Sequence, residues 1–107
     1  MAVKELNKEF FEQALQSEKP LLAEFWAPWC GYCRRIAPAY ERVAAAYEND
    51  LLAGRINIDE EPALEESQHI EIIPTLILYK NGQAVDSIVN PGSQAAIDRF
   101  VREALEK

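Results

Sequence analysis

The spacing of apolar positions changes several times along the chain, and each change marks an element. Over residues 5–16, Leu6, Phe10, Ala14 and Leu15 share one face at helical spacing, which predicts a first helix with those side chains inward. Val3, ahead of it, reads as a short strand or an extended arm. Ser17-Glu18-Lys19-Pro20 ends that helix, because the residue before a proline avoids helical angles. Residues 21–26 are apolar at every position except Glu24. A near-continuous apolar run of this length predicts a central strand covered on both faces. Helical spacing returns over residues 36–47, where Ile36, Tyr40, Val43, Ala44 and Tyr47 align, and Pro38 within it predicts a kink.

After the break at Asn49-Asp50, residues 51–59 alternate, with Ile56 and Ile58 set against Arg55, Asn57 and Asp59, and predict a strand. Residues 60–68 read as a short helix with Pro62 in its first turn, where a missing N–H costs little. Residues 75–79 are rich in β-formers. They lead through Lys80-Asn81-Gly82 to a second strand over 84–89, and Asn-Gly between two such runs is a strong hairpin signal. Ser93 can cap a last helix through Ala104, with Ile97, Val101 and Leu105 inward. The order βαβαβαββα implies an α/β fold with a parallel part joined by right-handed crossovers and an antiparallel hairpin at one edge; the pattern leaves the strand order open.

Composition narrows the function. The 107 residues suit one domain, and a 49% hydrophobic content supplies a core. The net charge of −7 disfavours nucleic acid and anionic membrane as partners. No apolar run reaches the roughly 18 residues of a membrane span. The start, Met1-Ala2-Val3-Lys4-Glu5-Leu6, has no signal-peptide core, so a cytoplasmic location is expected. Cys30 and Cys33 are the only two cysteines. Such close spacing in a cytosolic-looking chain points to catalysis more than to a structural bridge. Zinc would need about four ligands, and beyond the cysteines the one soft candidate is His69, otherwise a surface residue. No metal and no cofactor are expected.

The stretches Phe25-Trp26-Ala27-Pro28-Trp29-Cys30-Gly31-Tyr32-Cys33, Ile36-Ala37-Pro38, Asn57-Ile58-Asp59, Ile73-Pro74-Thr75 and Lys80-Asn81-Gly82 resemble the thioredoxin family over essentially the whole chain. The resemblance implies a three-layer thioredoxin-like fold, a central mixed β-sheet flanked by helices, as a single domain over residues 1–107. It implies that Cys30 is the nucleophile and Cys33 the resolving thiol, with a Cys30–Cys33 disulfide as the oxidised form. Pro74 would be a cis-proline beside the dithiol. Ile73-Pro74 would pair with an incoming peptide, and Trp29, Gly31 and Tyr32 would form the contact rim. Implied partners are disulfide-containing proteins and, as electron donor, a flavoprotein thioredoxin reductase; the chain would act as a monomer. Four positions depart from the family pattern: Tyr32 in place of proline, Glu24 in place of aspartate, Arg55 in place of lysine, and Asn90-Pro91 in place of a groove glycine. The first two bear on redox poise and the last two on partner recognition.

The chemistry follows from a thiolate at a helix start. Unpaired N–H groups there, with Arg34 and Arg35 one turn on, favour the anion of Cys30. That thiolate attacks a substrate disulfide, and Cys33 then displaces the reduced substrate. Glu24 is the one charge in its apolar strand: buried, such a carboxylate has a raised pKa and can accept and return the proton of Cys33; at an exposed edge it would have no role. Tyr32 restores an N–H that proline lacks, and its hydroxyl adds a donor. Donors acting on the thiolate state would shift the couple by about 30–60 mV toward oxidising. Two other readings stand beside the reductase: an oxidase or isomerase of less reducing potential, and a thioredoxin-like binding module. Asp59, Glu60, Glu61, Glu65, Glu66 and Glu71, with no Lys or Arg among them, read as a solvated helix face or as a docking surface for a basic partner.

Overall fold

The computed structural model of the chain describes residues 2–107. Its elements run β1 (Val3–Glu5), α1 (Lys8–Leu15), β2 (Leu21–Trp26), α2 (Gly31–Ala46), β3 (Leu52–Asn57), α3 (Pro62–Ser67), β4 (Thr75–Lys80), β5 (Gln83–Val89) and α4 (Gln94–Leu105). The sheet order is β1-β3-β2-β4-β5. β1, β3 and β2 are parallel, and β4 lies antiparallel to both β2 and β5. The apolar run 21–26 is therefore the central strand, as its pattern predicts.

Alternation along β2 sorts the core into two layers. Leu21, Ala23 and Phe25 face Phe11 of α1, Leu64 of α3 and Ile70. Leu22 faces Ile36, Tyr40 and Val43 of α2 and Ile97 and Val101 of α4. With the sheet between them, these are the three layers of the expected fold.

The first helix differs from its periodicity. Asn7 caps it, its Oδ1 accepting from Phe10 N at 2.8 Å, and Leu6 stays outside. Leu6 instead covers Gly54 so closely that a Cβ there would overlap the Leu6 side chain and sit 3.1 Å from the Lys4 carbonyl. Starting the helix at Lys8 turns Phe11 inward, 2% exposed, and leaves Phe10 outward at 53%. The second helix begins at Gly31, since Cys33 extends the Ile36–Tyr40 face back by one turn; it continues through Pro38. The buried Tyr40 hydroxyl donates to the Gly54 carbonyl at 2.8 Å and fastens α2 to the sheet. Asn81 (φ 54°) and Gly82 (φ 79°) make the left-handed two-residue turn that their sequence predicts. Ser93 caps α4 by accepting from Ala96 N at 3.1 Å.

Candidate active site

β2 ends at Trp26, and four residues later the chain enters α2 through the two cysteines. Cys30 is the N-cap residue, its backbone still extended (φ −86°, ψ 106°), and Cys33 is the third residue of the helix. They are joined as a disulfide. The Cys33 N–H donates to the Cys30 sulfur at 3.1 Å, so that sulfur already takes the place of a capping side chain. Cys30 keeps 8% of its surface exposed and Cys33 none. An attacker from solvent therefore meets Cys30. The positive end of a sixteen-residue helix lies at its sulfur.

Trp29 is exposed, and its Nε1 donates to Asp59 Oδ1 at 3.2 Å, which holds the indole at the rim. Ile73 packs against the core cluster that contains both cysteines, and the Ile73–Pro74 peptide is cis. Among the described residues, neither the N–H nor the C=O of Ile73 has a hydrogen-bond partner. Its neighbours are held: the Thr75 hydroxyl donates to the Ile72 carbonyl, and the Asn90 N–H donates to the Pro74 carbonyl at 3.0 Å. Asn90 stands in the left-handed region (φ 49°), a conformation asparagine tolerates and glycine adopts freely, so this departure from the family pattern keeps the backbone route.

Three motif residues find partners that their sequence positions did not show. The Tyr32 hydroxyl donates to the Pro91 carbonyl at 2.9 Å and is thereby engaged away from the thiolate expected to receive it. Arg34 donates from Nη1 to the Pro28 carbonyl at 2.6 Å, bracing the segment before the dithiol. The Arg35 guanidinium lies 5.7 Å from the centre of the Tyr32 ring. Both arginines are exposed at the start of α2, and Gly31 opens that helix.

Glu24 is completely buried. Its Oε1 accepts from Arg55 Nε at 3.2 Å, while Oε2 has no partner. Burial pushes its carboxyl up from 4.5 to about 7, and the Arg55 charge and hydrogen bond hold it from rising further. Arg55 also meets Glu5 Oε2 at 3.2 Å and stacks 3.9 Å over the Trp26 ring. Arg55, expected to bear on partner recognition, instead turns its side chain to the buried acid. Trp26 is half-buried beneath that guanidinium and packs against the core cluster. What the pattern did not show is that Arg55 and Asp59 meet site residues, Glu24 and Trp29. A polar position directly beside Glu24 in the neighbouring strand is a signal only once the β2–β3 register is known. Among the described residues, no group of three or more metal-ligating side chains gathers, and no helix is long and apolar enough to cross a membrane.

A dithiol capping a helix at the end of a central strand, with a cis-proline segment packed against its cluster, is the layout of a thiol–disulfide redox centre. The thioredoxin family model matches residues 2–103. The chain is 35% identical over 99 residues to thioredoxin 1 of Nostoc sp., covering 92% of each chain. It is 44% identical over 83 residues to thioredoxin of Synechocystis sp., covering 78% of each. A match of 35% over 99 residues covers 92% of this chain and 22% of a bifunctional thioredoxin reductase/thioredoxin of Mycobacterium leprae. The chain belongs to the thioredoxin family. With its redox-active cysteine pair it is a protein thiol–disulfide oxidoreductase.

Proposed function

We propose that Cys30 is the attacking thiolate and Cys33 the resolving thiol of a protein-disulfide reductase. The supporting observation is the asymmetry of the pair: Cys30 caps the helix and keeps solvent access, while Cys33 is sealed. The Cys30 thiolate attacks one sulfur of a substrate disulfide and expels the other as a thiolate. Cys33, losing its proton, attacks the Cys30 sulfur of the mixed disulfide. The second substrate sulfur leaves, and two electrons have passed from the dithiol to the substrate. The dithiol itself supplies these electrons and is left as the Cys30–Cys33 disulfide, so the step calls for no cofactor or metal. Glu24, whose carboxyl burial pushes up to about 7, takes the Cys33 proton as the second attack proceeds.

An extended substrate segment pairs with the free N–H and C=O of Ile73 by strand addition, beside cis-Pro74. Trp29, Gly31 and Tyr32 border the contact. Arg34 and Arg35 add positive charge to the helix start. Fusion of a thioredoxin to a thioredoxin reductase in the Mycobacterium leprae relative favours a flavoprotein reductase as electron donor. The acidic balance disfavours nucleic acid and anionic membrane as partners, and membership of the thioredoxin family favours a cytoplasmic monomer acting on proteins.

Cys30→Ser abolishes insulin disulfide reduction, whereas Cys33→Ser accumulates a mixed disulfide through Cys30, seen as a mass increase reversed by dithiothreitol. A parent protein that reduces no insulin, with a Cys30→Ser variant that still performs the protein's function in the cell, would make this a binding module with an incidental dithiol.

A further inference from the structure

Tyr32 stands between the two cysteines, yet its hydroxyl is spent on a carbonyl 59 residues along the chain, that of Pro91. The ring is half-buried and packs against both core clusters. Pro91 is buried and follows Asn90, whose left-handed backbone turns the chain out of β5. The Asn90 N–H in turn holds the Pro74 carbonyl. A continuous set of contacts thus runs from the dithiol turn through Tyr32, Pro91 and Asn90 to cis-Pro74. Beyond Pro91 the loop is open, and nothing lies within 4 Å of a Cβ built on Gly92. Among the described residues, the Tyr32 hydroxyl makes the one side-chain hydrogen bond to this loop between Asn90 and the Ser93 cap.

We infer that Tyr32 is a specificity-determining positioning residue: its hydroxyl clasps the loop at Pro91 to the dithiol turn and so selects extended peptide disulfides over small ones. The inference rests on the strand-addition reading given above. A peptide that reaches Cys30 while pairing with Ile73 also rests on the Asn90–Gly92 loop. A small disulfide touches little beyond the sulfur. A loop already held in place spares the peptide the cost of ordering it, a saving the small disulfide does not need. One neutral hydrogen bond of this kind corresponds to a factor of about three to ten.

The test compares the parent with Tyr32→Phe, which keeps the ring and removes the clasp. Pre-reduced protein is mixed with insulin or with hydroxyethyl disulfide, and its oxidation is followed by tryptophan fluorescence. The ratio of the insulin rate constant to the hydroxyethyl disulfide rate constant is expected to fall about three- to tenfold in the variant. The loss should appear in the half-saturation concentration for insulin and not in the limiting rate. An unchanged ratio overturns the inference, and so does a parallel slowing with both disulfides, which would place the effect on the sulfur. A parent protein oxidised by neither disulfide would instead remove the underlying reading of the site.

Discussion

Burial lifts the Glu24 carboxyl from 4.5 to about 7, and this links the proton chemistry of the site to the stability of the fold. Between those pH values the folded chain binds more protons than the unfolded one, so stability falls as pH rises through the window. Below it both states are neutral and the residue costs nothing. Above it the full penalty applies, about 3 kcal/mol at roughly 1.36 kcal/mol per pH unit. Glu24→Gln should therefore be more stable than the parent at pH 8 by up to about 3 kcal/mol, with the gain vanishing near pH 4. Urea unfolding at the two pH values checks this, and an equal gain at both would contradict it. Tyr32 separates two effects that its sequence position merges. Its hydroxyl is held by Pro91, so any influence on the couple passes through its N–H in the first turn of α2. Tyr32→Pro should be about 30 mV more reducing than the parent, while Tyr32→Phe, which keeps the N–H, should shift much less. Equilibration with glutathione measures both, and equal shifts would return the effect to the hydroxyl.

At the scale of elements, the contact between β1 and β3 shows how little side-chain volume the fold has to spare. Leu6 closes over Gly54, whose carbonyl also receives the Tyr40 hydroxyl from α2. Gly54→Val should lower stability by about 1–3 kcal/mol without changing the active-site couple, read from thermal unfolding and glutathione titration together. An unchanged melting temperature would mean that the Leu6 contact is loose. Elements with strong local signals were legible in the chain: β2 by its apolar run, the hairpin by Asn81-Gly82, and α4 by its Ser93 cap. The face of α1 was not. Phe10 and Phe11 are adjacent, and periodicity cannot choose between them until the Asn7 cap and the Leu6–Gly54 contact fix where the helix starts. The start of α2 at the dithiol was legible from the chemistry of the motif and not from periodicity, since a two-cysteine motif carries too few apolar positions to set a period.

For the molecule as a whole, the family and the dithiol could be read from short motifs, because their residues lie close in sequence. The contacts that tune the site could not, because they join distant segments: Trp29 with Asp59, Glu24 with Arg55, Tyr32 with Pro91. Each depends on the strand order β1-β3-β2-β4-β5, which the alternation of elements left open. The acids at Asp59, Glu60, Glu61, Glu65, Glu66 and Glu71 form no ion pair among the described residues, and Glu61 accepts the Lys8 backbone N–H at 3.1 Å. They contribute to an overall charge of −7, which works against a thiolate. The helix start must therefore outweigh the field of the whole molecule at Cys30. The rate of iodoacetamide alkylation of the reduced protein, followed against pH and assigned to Cys30 by peptide mass, tests this most directly. The titration midpoint is expected to lie below the roughly 8.5 of a free thiol. A Cys30 that alkylates at neutral pH no faster than the same residue in the urea-unfolded chain would contradict it.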